Sequence, residues 1–100
     1  MNIGTTPTHT FKLPFNTKVS KELKITYAQD GQIKLEKRYK DCTLNEDEVS
    51  IKLTQEETFL FDAIKNIEVQ MRILTQAGDA LSSDIRVVGA KRCLDSEVLE

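Results

Sequence analysis

Residues Leu23 to Tyr39 read LKITYAQDGQIKLEKRY, two alternating runs on either side of Asp30-Gly31, and this stretch constrains the fold more than any other. Leu23, Ile25 and Tyr27 fall on one side of the first run and Lys24 and Thr26 on the other, the period of two of a half-buried strand. In the second run Ile33, Leu35, the stem of Lys37 and Tyr39 alternate with Lys34, Glu36 and Arg38. Glycine, and aspartate to a lesser degree, tolerate the positive φ angles of a tight hairpin turn. The stretch therefore predicts an antiparallel hairpin with one wet face. A lone hairpin is marginal in water, so the rest of the chain must supply strands that cover its apolar side.

Those strands are legible on both sides of the hairpin. Thr8 to Phe15, THTFKLPF, sets His9, Phe11, Leu13 and Phe15 on one face, with Pro14 suited to an edge strand or a strand end. A polar connection, Asn16 to Lys21, leads into the hairpin. Cys42 to Leu44 and Val49 to Leu53 flank a turn at Asn45 to Glu48, which predicts a second hairpin with Val49, Ile51 and Leu53 inward. Thr54 and Glu57 have the spacing of a capping box, so one short helical turn is expected near residues 55–60. It would cross from one sheet to the other and drop Phe59, with Phe61 or Leu60, onto the core. Strict alternation then resumes, with Ile67, Val69, Met71 and Ile73 inward against Glu68, Gln70 and Arg72. Ala77-Gly78 marks a turn, and a final strand is predicted from about Ala80 to Val88 with Leu81, Ile85 and Val87 inward.

About seven short strands with a turn signal roughly every ten residues predict an all-β fold, an immunoglobulin-like antiparallel β-sandwich. A length of 100 residues supports one such domain and its single core. The division expected is an extended lead-in over residues 1–7, with only Ile3 to bury, a sandwich over 8–92, and an acidic tail over 93–100.

Chemistry is harder to find. His9 is the only histidine and lies in a strand pattern, and no serine or cysteine has the Gly-x-Ser-x-Gly setting of a nucleophile elbow. No catalytic residue is assigned, and the chain is read as non-enzymatic. Asn45-Glu46-Asp47-Glu48 lacks the ligand spacing of a calcium loop and reads as a solvated turn. The four glycines are scattered one to a turn, so no phosphate cradle, metal or cofactor is predicted. Lys34, Lys37, Arg38 and Lys40 form the densest basic run, read as a solvated face because Tyr27 and Tyr39 turn with the apolar side and leave no stacking platform. With 14 basic and 16 acidic side chains the net charge is -2, which predicts neither a nucleic-acid nor a membrane partner. No segment approaches the roughly 20 apolar residues of a membrane helix, and the first residues lack the basic and apolar parts of a signal peptide. Synthesis and folding in a cytoplasm are expected. Cys42 and Cys93 read as two reduced thiols, with a bridge between them as the alternative. Interaction through strand edges or termini remains, the tail carrying Leu94, Val98 and Leu99 among carboxylates.

Several segments together resemble a group of short, uncharacterised proteins encoded by phages and prophages of Gram-positive, clostridia-like bacteria. They are Thr5 to Phe15 (TTPTHTFKLPF), Ile25 to Gly31 (ITYAQDG), Asp41 to Leu44 (DCTL), Lys52 to Thr58 (KLTQEET), Arg72 to Asp84 (RILTQAGDALSSD) and Arg92 to Leu99 (RCLDSEVL). None is a chemical motif, and no residue role transfers. The strand pattern is also similar, more distantly, to immunoglobulin-like domains of phage tail and baseplate proteins. That resemblance implies a structural or assembly module whose partners are phage structural proteins or further copies of itself, made in the host cytoplasm and carried in the virion tail. A small cytoplasmic accessory binder made during phage growth and a carbohydrate-binding adhesion module are the alternatives.

Overall fold

A computed structural model describes residues 1–100 as two antiparallel sheets. The strands are β1 (Thr8–Lys12), β2 (Ser20–Gln29), β3 (Gln32–Arg38), β4 (Thr43–Asn45), β5 (Glu48–Lys52), β6 (Ile67–Thr75), β7 (Ala80–Ser82) and β8 (Arg86–Val88). One sheet has the order β1-β5-β4; the other has β3-β2-β6, with β7 and β8 sharing the far side of β6. In immunoglobulin lettering these are B-E-D and C′-C-F-G, the arrangement of that sandwich without an A strand beside B. The expected all-β sandwich is the fold.

Local chemistry sets the elements as the sequence predicts. The β2–β3 hairpin closes through Asp30 at φ 53° and Gly31 at φ 77°, the two positive φ angles of a type I′ turn. The β4–β5 hairpin turns at Glu46 and Asp47, whose carbonyls accept from Thr17 N–H and Leu13 N–H and so tie the segment after β1 to that turn. Between the sheets runs α1 (Gln55–Thr58), a single turn. Thr54 Oγ1 accepts from Glu57 N–H and Glu57 Oε1 accepts from Thr54 N–H, which completes the capping box.

The core is one cluster in which Ile25, Tyr27, Val49, Ile51, Leu53, Ile67 and Val69 are almost wholly shielded. Each large aliphatic there contributes roughly 1.5–3 kcal/mol before entropy is subtracted. Ile3 of the lead-in joins it. Phe61 is the buried aromatic after α1, whereas Phe59, expected inside, is only partly buried and Leu60 is exposed.

Five residues expected inside are exposed, Ile33, Tyr39, Leu81, Ile85 and Val87; Tyr39 lies past the end of β3 in a short turn, and bulges account for Ile33, Ile85 and Val87. In β3, Leu35 faces Tyr27 but Ile33 faces Ala28, so Lys34 is an extra residue. One extra residue reverses the alternation and turns Ile33 outward. The single strand predicted from Ala80 to Val88 is interrupted in the same way. Arg72 faces Ser82 and Val69 faces Arg86, so residues 83–85 lie opposite only Gln70 and Met71. Ser83 restores the ladder: its N–H donates to the Met71 carbonyl and its Oγ accepts from Met71 N–H, 2.8 and 3.0 Å respectively. Beyond this bulge Arg86 and Val88 take the inward positions and Val87 points to solvent. Leu81 keeps its inward place opposite Ile73, at an edge too thinly covered to bury it.

The lead-in is docked. Asn2 pairs in parallel with Lys91, Ile3 N–H donates to the Lys91 carbonyl, Lys91 N–H donates to the Met1 carbonyl, and the terminal ammonium donates to the Gly89 carbonyl. Gly4 N–H donates to Thr58 Oγ1, itself fully buried and donating to the Gln55 carbonyl. Gly4 has φ +86°, and a Cβ there would lie 3.0 Å from Cys93 Sγ and 3.2 Å from the Phe59 ring. Gly4→Ala is therefore expected to loosen this strap at about 1–3 kcal/mol. Faster amide exchange at Ile3 and Lys91, with the β2–β6 amides unchanged, is the result to look for; parent-like protection of both would refute the clamp.

Candidate functional site

His9, the sole histidine, reaches across the sandwich rather than out of it. Its Nδ1 lies 2.7 Å from Tyr27 Oη, and Tyr27 in turn packs on Phe61 with ring centroids 5.9 Å apart. Tyr27 stands on β2, the C strand, where immunoglobulin domains bury a large aromatic against the opposite sheet. Burial lowers the His9 pKa, helped by the terminal ammonium and Arg86, and burial also raises the Tyr27 pKa, helped by Cys42 and Glu57. Both groups are thus held neutral at physiological pH, and their hydrogen bond is a polar strut between the sheets.

The acidic turn at residues 45–48 closes the β4–β5 hairpin, and no three His, Cys, Asp or Glu side chains converge to hold a metal ion. Cys42 and Cys93 are free thiols. Burial, with Asp41 beside it, pushes the Cys42 pKa up to about 11, the opposite of what a nucleophilic thiol needs.

The basic run of β3 is dispersed by the fold. Lys37 keeps the inward place that alternation gives its stem, opposite Ile25, where its Nζ pairs with Glu57 of α1, both side chains being largely covered. Burial raises the Glu57 pKa, but the Lys37 contact and the Thr54 N–H outweigh it and hold the carboxyl below its ordinary value. A group depressed on folding stabilises the fold above its unfolded pKa and loses that contribution as pH falls through the folded one. Glu57→Gln, which keeps an acceptor for Thr54 N–H, is expected to reduce stability at pH 7 by about 1 kcal/mol. The difference from the parent should vanish once acid has protonated Glu57. Urea unfolding of both chains at neutral pH and in acid measures it, and a difference that persists in acid would contradict the ion pair.

Arg38 meets a different neighbourhood. It stands opposite Lys24, which stands opposite Arg72, so three cations from three strands form a row on the outer face. Lys24 is relieved by Glu36 at 3.2 Å. Residues 24, 38 and 72 are too far apart in the chain for sequence reading to have aligned them.

Edges are the remaining functional candidates, and three of the four are blunted. β3 carries a bulge, exposed charges and the inward Lys37; β4 has three residues; β7 and β8 are split by their bulge. β1 is different. Pro7 C=O and Leu13 N–H bond toward the β5 side, so by antiparallel alternation Thr8, Thr10 and Lys12 present their N–H and C=O groups to the free edge. Only Thr10 C=O has a partner there, Arg86 Nη1 at 3.4 Å, with the guanidinium 4.6 Å from the Phe11 ring centroid.

Beside the end of β1 the sandwich is open. An apolar cleft of about 270 Å³ lies between Leu13 and Phe15 on one side and Leu81 on the other, floored by Met71 and Ile73. It follows from the missing A strand and from the bulge that thins β7. Sequence reading missed this site, although Phe15, Pro14 and Leu81 at strand ends were its visible signs. No helix is long and apolar enough to cross a membrane. Comparison of the chain with protein-family models, with curated proteins and with solved structures finds no match.

Proposed function

We propose that this chain is a non-enzymatic, phage-encoded assembly module that acts in a virion tail or baseplate by protein–protein contact. Support for the setting comes from the resemblance of its Thr5–Phe15, Lys52–Thr58 and Arg72–Asp84 segments to phage and prophage proteins. Support for the mode of action comes from one observation above all. The β1 edge lies unpaired beside an apolar cleft while the other edges are blunted, which is the arrangement that strand addition uses. The titratable groups with perturbed pKa values, His9, Tyr27, Cys42 and Glu57, are each engaged with a neighbour inside the fold.

Mass spectrometry of purified particles from an induced source strain, quantified against the major tail proteins, tests this. A stoichiometric signal is expected. Absence from particles with abundance in the lysate would overturn the tail assignment in favour of a cytoplasmic accessory binder, and glycan binding by the isolated domain would favour surface adhesion.

A further inference from the structure

The tail is the least tethered part of the molecule. Leu94 is 93% exposed and Leu99 is 73% exposed, so neither contributes to the core. What holds the segment near its end is the Gln55 amide, which donates from Nε2 to the Leu99 carbonyl and accepts at Oε1 from Leu99 N–H, 3.0 and 2.9 Å respectively. Both bonds are exposed, so water replaces them at little net loss. This seat lies next to Thr6 and Lys52, beside the start of β1. The apolar cleft lies at the other end of β1.

We infer that the free β1 edge and its cleft accept the tail, residues 94–100, of a second copy of this chain as an added strand. Three features of the two surfaces match. Seven extended residues reach about 23 Å, and the five-residue strand with the approach to its cleft needs a similar span. In a strand the tail puts Leu94, Ser96, Val98 and Glu100 on one face and Asp95, Glu97 and Leu99 on the other. The first face suits a cleft walled by Leu13, Phe15 and Leu81. The second meets the outward face of β1, where Lys12 is 75% exposed with its Nζ 3.9 Å from Asp47, while Arg86 stands on the inner side of the edge against Phe11. The N–H and C=O groups of Thr8 and Lys12 and the Thr10 N–H, free along that edge, become ladder partners of the incoming strand.

Each copy gives a tail and receives one, either reciprocally within a pair or head to tail along a series. A head-to-tail series closes into a ring or continues as a filament. This deepens the assembly role proposed above and rests on it for its setting.

Two full-length variants test the geometry. Leu81→Glu places a carboxylate in the acceptor cleft at an edge position that is already 46% exposed, so folding is retained. The double variant Leu94→Asp, Val98→Asp spoils the donor without touching the core. The parent is expected to associate as its concentration rises from about 10 μM to about 1 mM in sedimentation velocity, and each variant alone to stay monomeric, both with parent-like melting. Mixed, they should form a one-to-one heterodimer that grows no further, because one intact donor meets one intact acceptor. A parent monomeric throughout this range overturns the inference, as does association of either variant alone to the parent's extent, or a mixture that stays monomeric. Recovery of the chain in particles alongside a strictly monomeric purified protein would discard tail exchange and leave the virion assignment standing.

Discussion

Val49→Asp abolishes folding, while the same substitution at Val87 passes almost unnoticed. By alternation both valines belong inside, so the pair separates sequence pattern from structure. Val49 is fully shielded on β5 between Phe11 of β1 and Leu44 of β4, with no cation opposite it on either strand. A carboxylate there loses its water with no partner to replace it, and the valine's own burial is forfeited. The combined loss is more than about 4 kcal/mol, a large part of the roughly 5–15 kcal/mol that holds a domain together. Val87 is 60% exposed and stands opposite Glu68 on the outer face, beyond the bulge. Its replacement should change stability by no more than about 0.5 kcal/mol, with any loss coming from the neighbouring Glu68 charge. Circular dichroism and thermal melting decide the matter. Val49→Asp should lack a cooperative transition; a parent-like melt for it, or loss of folding in Val87→Asp, would show that the register of β5 or of β8 is wrong.

Gln29→Leu should be the most damaging conservative change outside the apolar core. Gln29 is 1% exposed, yet its amide is fully occupied: Nε2 donates to the Asp62 and Lys65 carbonyls at 2.7 and 3.0 Å, and Oε1 accepts from Asp62 N–H at 2.7 Å. It pins the loop from α1 to β6 against the end of β2. Leucine has nearly the same volume and none of these bonds, so three backbone groups are left without partners in a partly buried place. About 3 kcal/mol is expected, equivalent to a fall in melting temperature on the order of 15 °C. Gln29→Glu sharpens the test, because it keeps the acceptor for Asp62 N–H but cannot donate to both carbonyls and buries a charge. Its deficit should shrink as pH falls and the carboxyl takes up a proton, whereas the leucine variant's deficit should not. Equal stability of parent and Gln29→Leu would mean that the loop rearranges freely and the pin is dispensable.

Gln29 also marks how far sequence reading reaches. It continues the inward series of Leu23, Ile25 and Tyr27, so a polar residue at a core position was visible; its partners, more than thirty residues away, were not. The same holds for Lys37 and Glu57. The capping box identified Glu57 as a helix-turn residue and alternation put the stem of Lys37 on the apolar side, but only the fold brings the two together. The β1 edge was legible as a strand ending near Pro14, and the tail as apolar residues among carboxylates. Their relation as acceptor and donor depends on which edge the fold leaves open.

What the sequence determined by itself is what short-range chemistry controls. Period-two alternation made the strands, Asp30-Gly31 closed the first hairpin through its two positive φ angles, and Thr54 with Glu57 started the single helical turn. Each depends on residues within a few positions of one another, whose sterics and hydrogen bonds act whatever the rest of the chain does. Only the tertiary structure decided where the alternation breaks, which edges are blunted, that the lead-in lies along Gly89–Lys91, and that the sandwich stays open beside β1. Those outcomes depend on pairing between distant strands, where one extra residue moves every following side chain to the other face and no local preference opposes it.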